Sequence, residues 1–209
     1  MIEWVVFDLD MTLLDTFRGF YSAFMKCVEE HGARPPPSFD SFLADYEENL
    51  LRSYVPGGAD SFRFWRRCWS IYVEAGEVGR PIPGMAELVK RLKDEGRRII
   101  VATGREMESG LVRREMEAAG VSGVDAVHSL GDLGRGTKLD LLRVVIETHG
   151  IIPRLAAYVT DTPRDVEAGV AVGFNSIGFA SWTRRFPGVP VASTASDVYE
   201  IIKRLDAEQ

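Results

Sequence analysis

The chain has 209 residues, of which 45% are hydrophobic and 27% are charged, and its formal net charge is -6. This composition is typical of a globular protein with one domain, or one domain with an insertion. The negative charge gives no general electrostatic reason to bind nucleic acid or an anionic membrane surface. No apolar run approaches the roughly 20 residues that span a bilayer, and Met1 leads into an apolar run without a charged leader. We therefore expect a cytoplasmic protein with neither a nucleic-acid nor a membrane partner.

The first predicted element is a buried strand at Val5–Phe7, inside the stretch "WVVFDLDMTLLDT", and it ends in Asp8 and Asp10. Two carboxylates this close repel each other unless a divalent cation lies between them, and hard oxygen ligands favour Mg²⁺. Residues i and i+2 of a strand point the same way. Asp8 can therefore act as a nucleophile held on the metal, while Asp10 donates and recovers a proton.

Residues 15–82 carry no convincing strand pattern and indicate three or four inserted helices, with a break at "RPPPS". We predict that Asp15 caps the first of them, and that "RPIPG" at residues 80–84 is the hinge through which the chain returns. An aromatic stripe at helical spacing predicts the packing core of this insertion: Phe17, Phe20, Tyr21 and Phe24. Its cysteines, Cys27 and Cys68, have neither CxxC nor metal-ligand spacing, so we expect free buried thiols rather than a disulfide.

From residue 84 onward, short apolar runs alternate with segments of helical period. Further strands are predicted at Ile99–Ala102 and Leu155–Val159, and helices at about residues 106–119 and 137–149. Near the C-terminus, Thr194 and Asp197 have the spacing of a capping box. The pattern predicts an α/β fold with a doubly wound parallel sheet. The predicted domains are therefore an α/β core, residues 1–14 and 84–209, and an α-helical cap, residues 15–83.

Polar residues follow the predicted strands, where open α/β sheets bind their ligands. Thr103 and the backbone of Gly104 can form an anion cradle, and Lys138, which opens a helix, can place a positive charge beside a phosphoryl group. Asp161 and Asp165 add further carboxylates. Nucleophile, acid, cation and amide donors together indicate phosphoryl transfer. Arg105 can face either the phosphate or the solvent, and both orientations remain open.

The sequence resembles the haloacid dehalogenase superfamily, in its branch of phosphoglycolate phosphatases and β-phosphoglucomutases with a helical cap. The resemblance rests on "DLDMTL" from Asp8, "VATGR" ending at Arg105, Lys138, and "VTDTPRD" ending at Asp165. It implies that Asp8 forms an aspartyl phosphate and that Asp10 is the general acid and base. It also implies that Mg²⁺ is bound by the side chains of Asp8 and Asp161 and the carbonyl of Asp10.

By the same resemblance, Thr103 and Lys138 hold the phosphate, and Asp165 orients Lys138 or a metal-bound water. Thr12 either fixes its loop through a hydroxyl hydrogen bond or helps to hold the phosphate. The chain departs from the family at Met11 and Thr160, where glycine is usual. Met11 places an apolar side chain near the nucleophile and is expected to narrow the site or slow the reaction.

The function expected from the resemblance is Mg²⁺-dependent hydrolysis of a phosphate monoester of a small metabolite, by a monomer or a homodimer. Three alternatives stay open. A phosphomutase would return the phosphate to a sugar, a signalling protein would accept phosphate on aspartate and pass on a conformational change, and a degenerate member would bind a ligand without catalysis. The cap residues, which select the leaving group, carry no pattern that decides among them.

Overall fold

The computed structural model describes residues 1–183 and 185–208. Its strands, in chain order, are β1 Trp4–Phe7, β2 Leu14–Asp15, β3 Arg80–Pro81, β4 Arg98–Thr103, β5 Ala126–Ser129, β6 Ala156–Thr160, β7 Asn175–Phe179 and β8 Val191–Ala192. All but β2 and β3 form one six-stranded sheet in the order β5-β4-β1-β6-β7-β8. Every neighbouring pair in this sheet is parallel.

The helices cover both faces of the sheet and build the insertion. The α-helices of the described residues are α1 Phe17–Glu30, α2 Phe39–Glu47, α3 Ser61–Glu74, α4 Met85–Asp94, α5 Ser109–Ala118, α6 Leu130–Leu133, α7 Lys138–His149, α8 Pro163–Ala171 and α9 Ala195–Ala207. Short 3₁₀ helices span Leu51–Tyr54 and Pro153–Leu155. None of the helices in this part of the chain is both long and apolar enough to cross a bilayer.

Alternate side chains of β1 enter two different apolar clusters. Val5 and Phe7 pack in a cluster that includes Leu88 of α4, whereas Trp4 and Val6 pack in one that includes Leu141 of α7. Burial on both faces explains why the central strands appear in the sequence as uninterrupted apolar runs. Successive strands move away from β1 in both directions, so the predicted doubly wound α/β fold is confirmed.

The insertion between β1 and β4 is helical. The aromatic rings of α1 surround Phe42 of α2, with centroid separations of 6.3 Å from Phe17, 6.3 Å from Phe20 and 5.6 Å from Phe24. Edge-on and tilted contacts of this kind stabilise a core beyond the area they bury. The aromatic stripe therefore packs the insertion, as predicted.

The expectation of no strand within the insertion was wrong at its two ends. There β2 and β3 pair antiparallel, Leu14 with Pro81 and Asp15 with Arg80. Strands of two residues are too short to show an alternating pattern in the sequence. Asp15 lies in β2, and Thr16 is the N-cap residue of α1, but the Thr16 side chain makes no capping hydrogen bond. Asp15 Oδ1 accepts from the amide of Phe17, the first residue of α1, at 3.4 Å, so the prediction that Asp15 caps this helix is confirmed, from the position before the N-cap residue.

The prediction of free thiols was wrong as well. Cys27 of α1 and Cys68 of α3 form a disulfide, with their Cα atoms 5.1 Å apart. The two residues are 41 positions apart, and only the packing of α1 against α3 brings them together. No local spacing could have indicated this pairing, which links two helices of the insertion covalently.

The predicted helix ends hold in part. The box of Thr194 and Asp197 caps α9, and a second box, Thr137 with Asp140, fixes the start of α7. The helix predicted from residue 106 begins only at Ser109, because Glu108 has an extended backbone and is its N-cap.

Candidate active site

The carboxyl ends of three adjacent strands bring the predicted residues together. Phe7, the last residue of β1, lies opposite Val101 of β4 and Val159 of β6. Asp8 continues the chain from there, and its amide donates to the Val159 carbonyl at 2.9 Å. This register brings Asp8 to the same edge of the sheet as Thr103, the last residue of β4, and Asp161, which directly follows β6, as the sequence predicted.

Lys138 is the cation of the site. Its Nζ donates to Asp8 Oδ1 at 2.7 Å and to the Ala102 carbonyl at 2.9 Å, and it lies 3.2 Å from Asp165 Oδ2. Burial of the ammonium opposes its charge, but the carboxylates of Asp165 and Asp8 outweigh this and hold the pKa of Lys138 well above its usual range. Lys138 is therefore positively charged at neutral pH, and Asp165 is placed to orient it.

Asp8 and Asp161 are buried carboxylates whose negative charges are not fully balanced by the neighbouring cation and hydrogen-bond donors. Burial raises the pKa of Asp8 to about 6, although Lys138 pulls in the opposite direction. Burial and the charge of Asp8 raise the pKa of Asp161 well above its ordinary range, against a hydrogen bond of 2.6 Å from the indole Nε1 of Trp182. The other oxygen of Asp161, Oδ1, is buried without a hydrogen-bond partner among the described residues.

This arrangement fits a bound divalent cation. An orphaned carboxylate oxygen beside a second buried carboxylate is costly in the absence of a positive charge, and oxygen ligands suit Mg²⁺. Across residues 1–183 and 185–208, no group of three or more His, Cys, Asp and Glu side chains is arranged to hold a metal. The expected ligand set needs only two such side chains, Asp8 and Asp161, together with the main-chain carbonyl of Asp10.

Asp10 is held by two donors. Thr16 Oγ1 donates to its Oδ1 at 2.6 Å, and the guanidinium of Arg105 donates to Oδ1 at 2.8 Å and to Oδ2 at 3.0 Å. Arg105 thus faces neither of the two environments considered from the sequence. Its side chain is fully buried, and it also forms an ion pair with Glu115 of α5.

The threonines of the predicted phosphate site are buried. Thr103 Oγ1 accepts from the amide of Arg105 at 3.3 Å, next to Gly104. Thr12 Oγ1 has no hydrogen-bond partner within the described chain, so the hydroxyl bond proposed to fix its loop is not formed. The buried Thr12 hydroxyl is therefore an unsatisfied polar group among the described residues.

The structure shows what Met11 and Thr160 do at the two positions where the family usually has glycine. Met11 has a φ of 55°, in the left-handed region that favours glycine. Its side chain is buried in the apolar core and is not among the residues that line the cavity, contrary to the expectation that it narrows the site. Thr160 donates to Asp8 Oδ2 at 3.4 Å, which a glycine could not do.

A cavity of about 710 Å³ opens above Asp8, Asp10 and Lys138, between the sheet and the helical insertion. Its walls include side chains to which the sequence analysis gave no role: Tyr46, Arg52, Trp65, Trp69, Glu106 and Trp182. Burial and the carboxylates of Asp161, Asp10 and Asp8 raise the pKa of Tyr46 well above its usual range. Burial also raises the pKa of Glu106 to about 7.

The insertion also contacts the core beside this cavity. Arg164, at the start of α8, donates to Asn49 Oδ1 at 2.8 Å, and Thr183 donates to Glu47 at 2.9 Å. Loop and cap residues of this kind reach the site only through tertiary packing. A tryptophan such as Trp182, 21 residues after its partner Asp161, gives no sequence signal of that contact.

Comparison with known proteins gives a consistent result. A sequence profile of the family described as haloacid dehalogenase-like hydrolase matches residues 5–179. The chain is 26% identical over 182 residues to the tyrosine-protein kinase PtkA of Mycobacterium tuberculosis. This alignment covers 84% of the chain but 61% of the kinase, so the chain spans less than two thirds of that relative's length.

Solved structures share the fold. A protein described as a predicted phosphatase from Clostridium acetobutylicum has a TM-score of 0.78 and 18% identity, over 98% of this chain and 99% of that one. CbbY from Rhodobacter sphaeroides, in complex with xylulose-(1,5)bisphosphate, has a TM-score of 0.73 and 20% identity, over 94% and 96% of the two chains. With its α/β fold, its strand-end carboxylates and a family profile that covers most of its length, the chain belongs to the haloacid dehalogenase-like hydrolase family.

Proposed function

We propose that the protein is a Mg²⁺-dependent phosphatase that hydrolyses a phosphate monoester of a small metabolite through a phosphorylated Asp8. The observation that carries this proposal is the 2.7 Å contact between Lys138 and Asp8 at the floor of the cavity, with Asp10 two residues further on. A nucleophile, a cation and a second carboxylate at one opening are the groups that phosphoryl transfer through an acyl phosphate requires.

The proposed reaction has two steps, and residues of the site carry out the bond changes and proton transfers of each. A carboxylate oxygen of Asp8 attacks phosphorus while the bond to the leaving oxygen breaks, and Asp10 gives that oxygen a proton. Water then attacks the phosphorus of the aspartyl phosphate, Asp10 takes the proton of the water, and phosphate leaves Asp8. The phosphoryl oxygens accept hydrogen bonds from Lys138, Thr103, Thr12 and the amide of Gly104. Asp165 keeps Lys138 in position.

The side chains of Asp8 and Asp161 and the carbonyl of Asp10 would hold the Mg²⁺. A bound divalent cation supplies positive charge that lets the carboxylates and the phosphate approach one another. The unpartnered Oδ1 of Asp161 and the raised pKa of both carboxyl groups support this assignment.

The substrate is proposed from the size of the cavity and from a neighbour. A volume of about 710 Å³ lies within the range of pockets that take small molecules. A structural neighbour, CbbY, holds a phosphorylated sugar, and a phosphorylated metabolite of similar size suits this cavity. The cytoplasmic location and the monomeric or dimeric state remain predictions.

The test is the hydrolysis of p-nitrophenyl phosphate with and without Mg²⁺, by the wild type, by Asp8→Asn and by the control Asp197→Asn. Asp197 caps α9, away from the site. We expect Mg²⁺-dependent release of phosphate by the wild type and the control, and a loss of at least about 10³-fold in Asp8→Asn, as for removal of a nucleophile. Acid quenching during turnover should leave one phosphoryl group on the wild type, detectable by intact mass.

Other outcomes separate the alternatives. Consumption of sugar phosphates without release of inorganic phosphate would indicate a phosphomutase. A phosphorylated Asp8 that persists for hours would indicate a signalling protein. Neither turnover nor phosphorylation, with p-nitrophenyl phosphate and a panel of sugar phosphates, would refute the proposal and favour a binding protein.

A further inference from the structure

Arg105 forms the centre of a buried chain of charges beside the site. Its Nε and Nη2 donate to Asp10, at 3.0 Å to Oδ2 and 2.8 Å to Oδ1. Its Nη1 contacts Glu115 Oε2, and its Nη2 also lies 3.4 Å from Glu115 Oε1. The Arg105 side chain has 0% exposure and that of Glu115 has 8%. One fully buried guanidinium therefore joins the buried carboxylate of Glu115 to that of Asp10, whose side chain is 17% exposed, and burial of this charge is favourable only with such close pairing.

The guanidinium cannot turn freely in its position. Its Cζ lies 4.3 Å from the centre of the Trp69 ring and 5.4 Å from that of Tyr72, both on α3. Cation–π contacts and a planar fork of donors restrict the orientation of an arginine more than that of a lysine. The orientation of Arg105 therefore determines the plane of the Asp10 carboxylate that it holds.

The hydrogen bonds distinguish the two oxygens of Asp10. Among residues 1–183 and 185–208, Oδ1 accepts from Thr16 Oγ1 and from both Nε and Nη2 of Arg105, whereas Oδ2 accepts only from Arg105 Nε. Oδ1 has three donors and little capacity for another bond. Oδ2 is the oxygen with a lone pair available to carry the transferred proton.

Glu115 anchors the far end of this chain. Its Oε1 accepts from the Tyr72 hydroxyl at 2.8 Å and from the amide of Gly79 at 2.9 Å. Gly79 lies just before β3, on the connection that returns from the insertion to the core. It packs against the outgoing connection, because a Cβ on Gly79 would lie 2.6 Å from Thr16 Cγ2. The two connections between core and cap thus meet the same cluster of charges.

We propose that Arg105, anchored by Glu115, is the positioning residue for Asp10 and presents its Oδ2 to the leaving-group oxygen. This inference rests on the proposed phosphatase function. Arg105 contributes no proton itself. Asp10 transfers one proton to the leaving oxygen as the bond from phosphorus to that oxygen breaks and the bond from Asp8 to phosphorus forms.

The test is kcat/KM for two substrates that differ in their need for a proton. The leaving group of 2,4-dinitrophenyl phosphate departs as a stable anion, whereas the alcohol of an alkyl phosphate such as glycerol 3-phosphate must be protonated. This parameter reports only the steps up to departure of the leaving group, so hydrolysis of the intermediate does not mask the effect. The variants are Arg105→Lys, which keeps the charge without the fork, and Glu115→Gln, which loosens the anchor.

General acid catalysis contributes about 10²–10⁴-fold, so misplacing the proton donor should lower kcat/KM for the alkyl phosphate by about 10–100-fold in Arg105→Lys. The loss should be under about 3-fold for 2,4-dinitrophenyl phosphate, which needs no proton donor. Glu115→Gln should show the same selectivity with a smaller loss. The control is Arg97→Lys, because Arg97 is a buried arginine that binds Asp206 at 2.6 Å outside the site, and neither substrate should be affected.

The outcomes separate this inference from the proposed function. Equal losses on both substrates, or no loss on the alkyl phosphate, in a folded Arg105→Lys or Glu115→Gln would show that the cluster only braces the cap and would overturn the inference. Wild-type protein that hydrolyses neither substrate would overturn both the phosphatase function and the role of Arg105.

Discussion

Replacing the proposed nucleophile with asparagine should stabilise the metal-free protein. Asp8 is buried beside Asp161, and this burial raises its pKa from 3.8 to about 6 although Lys138 lies 2.7 Å away. The folded protein therefore resists ionisation of Asp8, which the unfolded chain allows. Asparagine keeps the shape of the side chain and removes the charge. Lys138 retains Asp165 and the Ala102 carbonyl as partners.

The magnitude follows from linkage between proton binding and folding. Because the pKa of Asp8 is raised in the folded state, the wild type has its full stability below the unfolded pKa of 3.8 and loses stability as the pH rises through about 6. The advantage of Asp8→Asn should therefore be under roughly 1 kcal/mol at pH 4, roughly 1 to 2 kcal/mol at pH 5 and roughly 3 kcal/mol at pH 8. For a chain of this size, the last value corresponds to a rise in Tm of about 6–12 °C. Relief of Asp161 from the charge of Asp8 acts in the same direction.

The assay is urea unfolding in EDTA at several pH values between 4 and 8, for the wild type, Asp8→Asn and Asp197→Asn. Hydrogen bonds from Ser193 and Thr194 lower the pKa of Asp197, so its substitution should give no gain and a loss that grows above pH 4. Mg²⁺ should then stabilise the wild type but not Asp8→Asn. A variant that is no more stable than the wild type at pH 8, or an advantage that does not shrink toward pH 4, would refute the dominance of burial at Asp8.

Two further predictions concern residues that the sequence did not assign. Trp182→Phe removes the indole donor to Asp161 and should raise the Mg²⁺ concentration that gives half-maximal activity by about 10-fold or more, the usual cost of losing a partner of a metal ligand. The control Trp4→Phe should leave this concentration unchanged. An unchanged half-saturating Mg²⁺ concentration in Trp182→Phe would contradict this. Cys27→Ser with Cys68→Ser should lower the free energy of unfolding by about 3–4 kcal/mol, from the loop of about 40 residues that the disulfide closes. Equal urea midpoints for the oxidised wild type and the double variant would show that the bond contributes nothing.

The sequence predicted the parts of the fold that have a periodic apolar signal. The strands β1, β4 and β6 are continuous apolar runs because helices cover both faces of the sheet. By contrast, β5 and β7 contain polar residues such as His128 and Asn175, and β8 has only two residues, so none of these three was predicted. Their positions depend on pairing with neighbouring strands and not on local pattern.

The residues of the candidate site likewise divide into those that the sequence indicated and those that only tertiary packing reveals. Asp8, Thr103 and Asp161 directly follow or end predicted strands, so parallel topology brings them together. Glu115 lies in the middle of α5, where a solvated carboxylate is the ordinary expectation, and only tertiary packing shows that it binds Arg105. The disulfide was missed because the prediction of free thiols used spacing and compartment alone.

The topology has a consequence for synthesis of the chain. Strand β1 occupies the middle of the sheet and is made before its partners β4 and β6, which end only at Thr103 and Thr160. The helices of the insertion contact one another locally, so they can assemble while β1 still has two open edges. Asp8 leaves the ribosome before both of its partners: it acquires Lys138 only after 130 further residues have been made, and Asp161 later still. A nascent chain released before that point carries Asp8, the proposed nucleophile, without the groups that surround it in the folded protein.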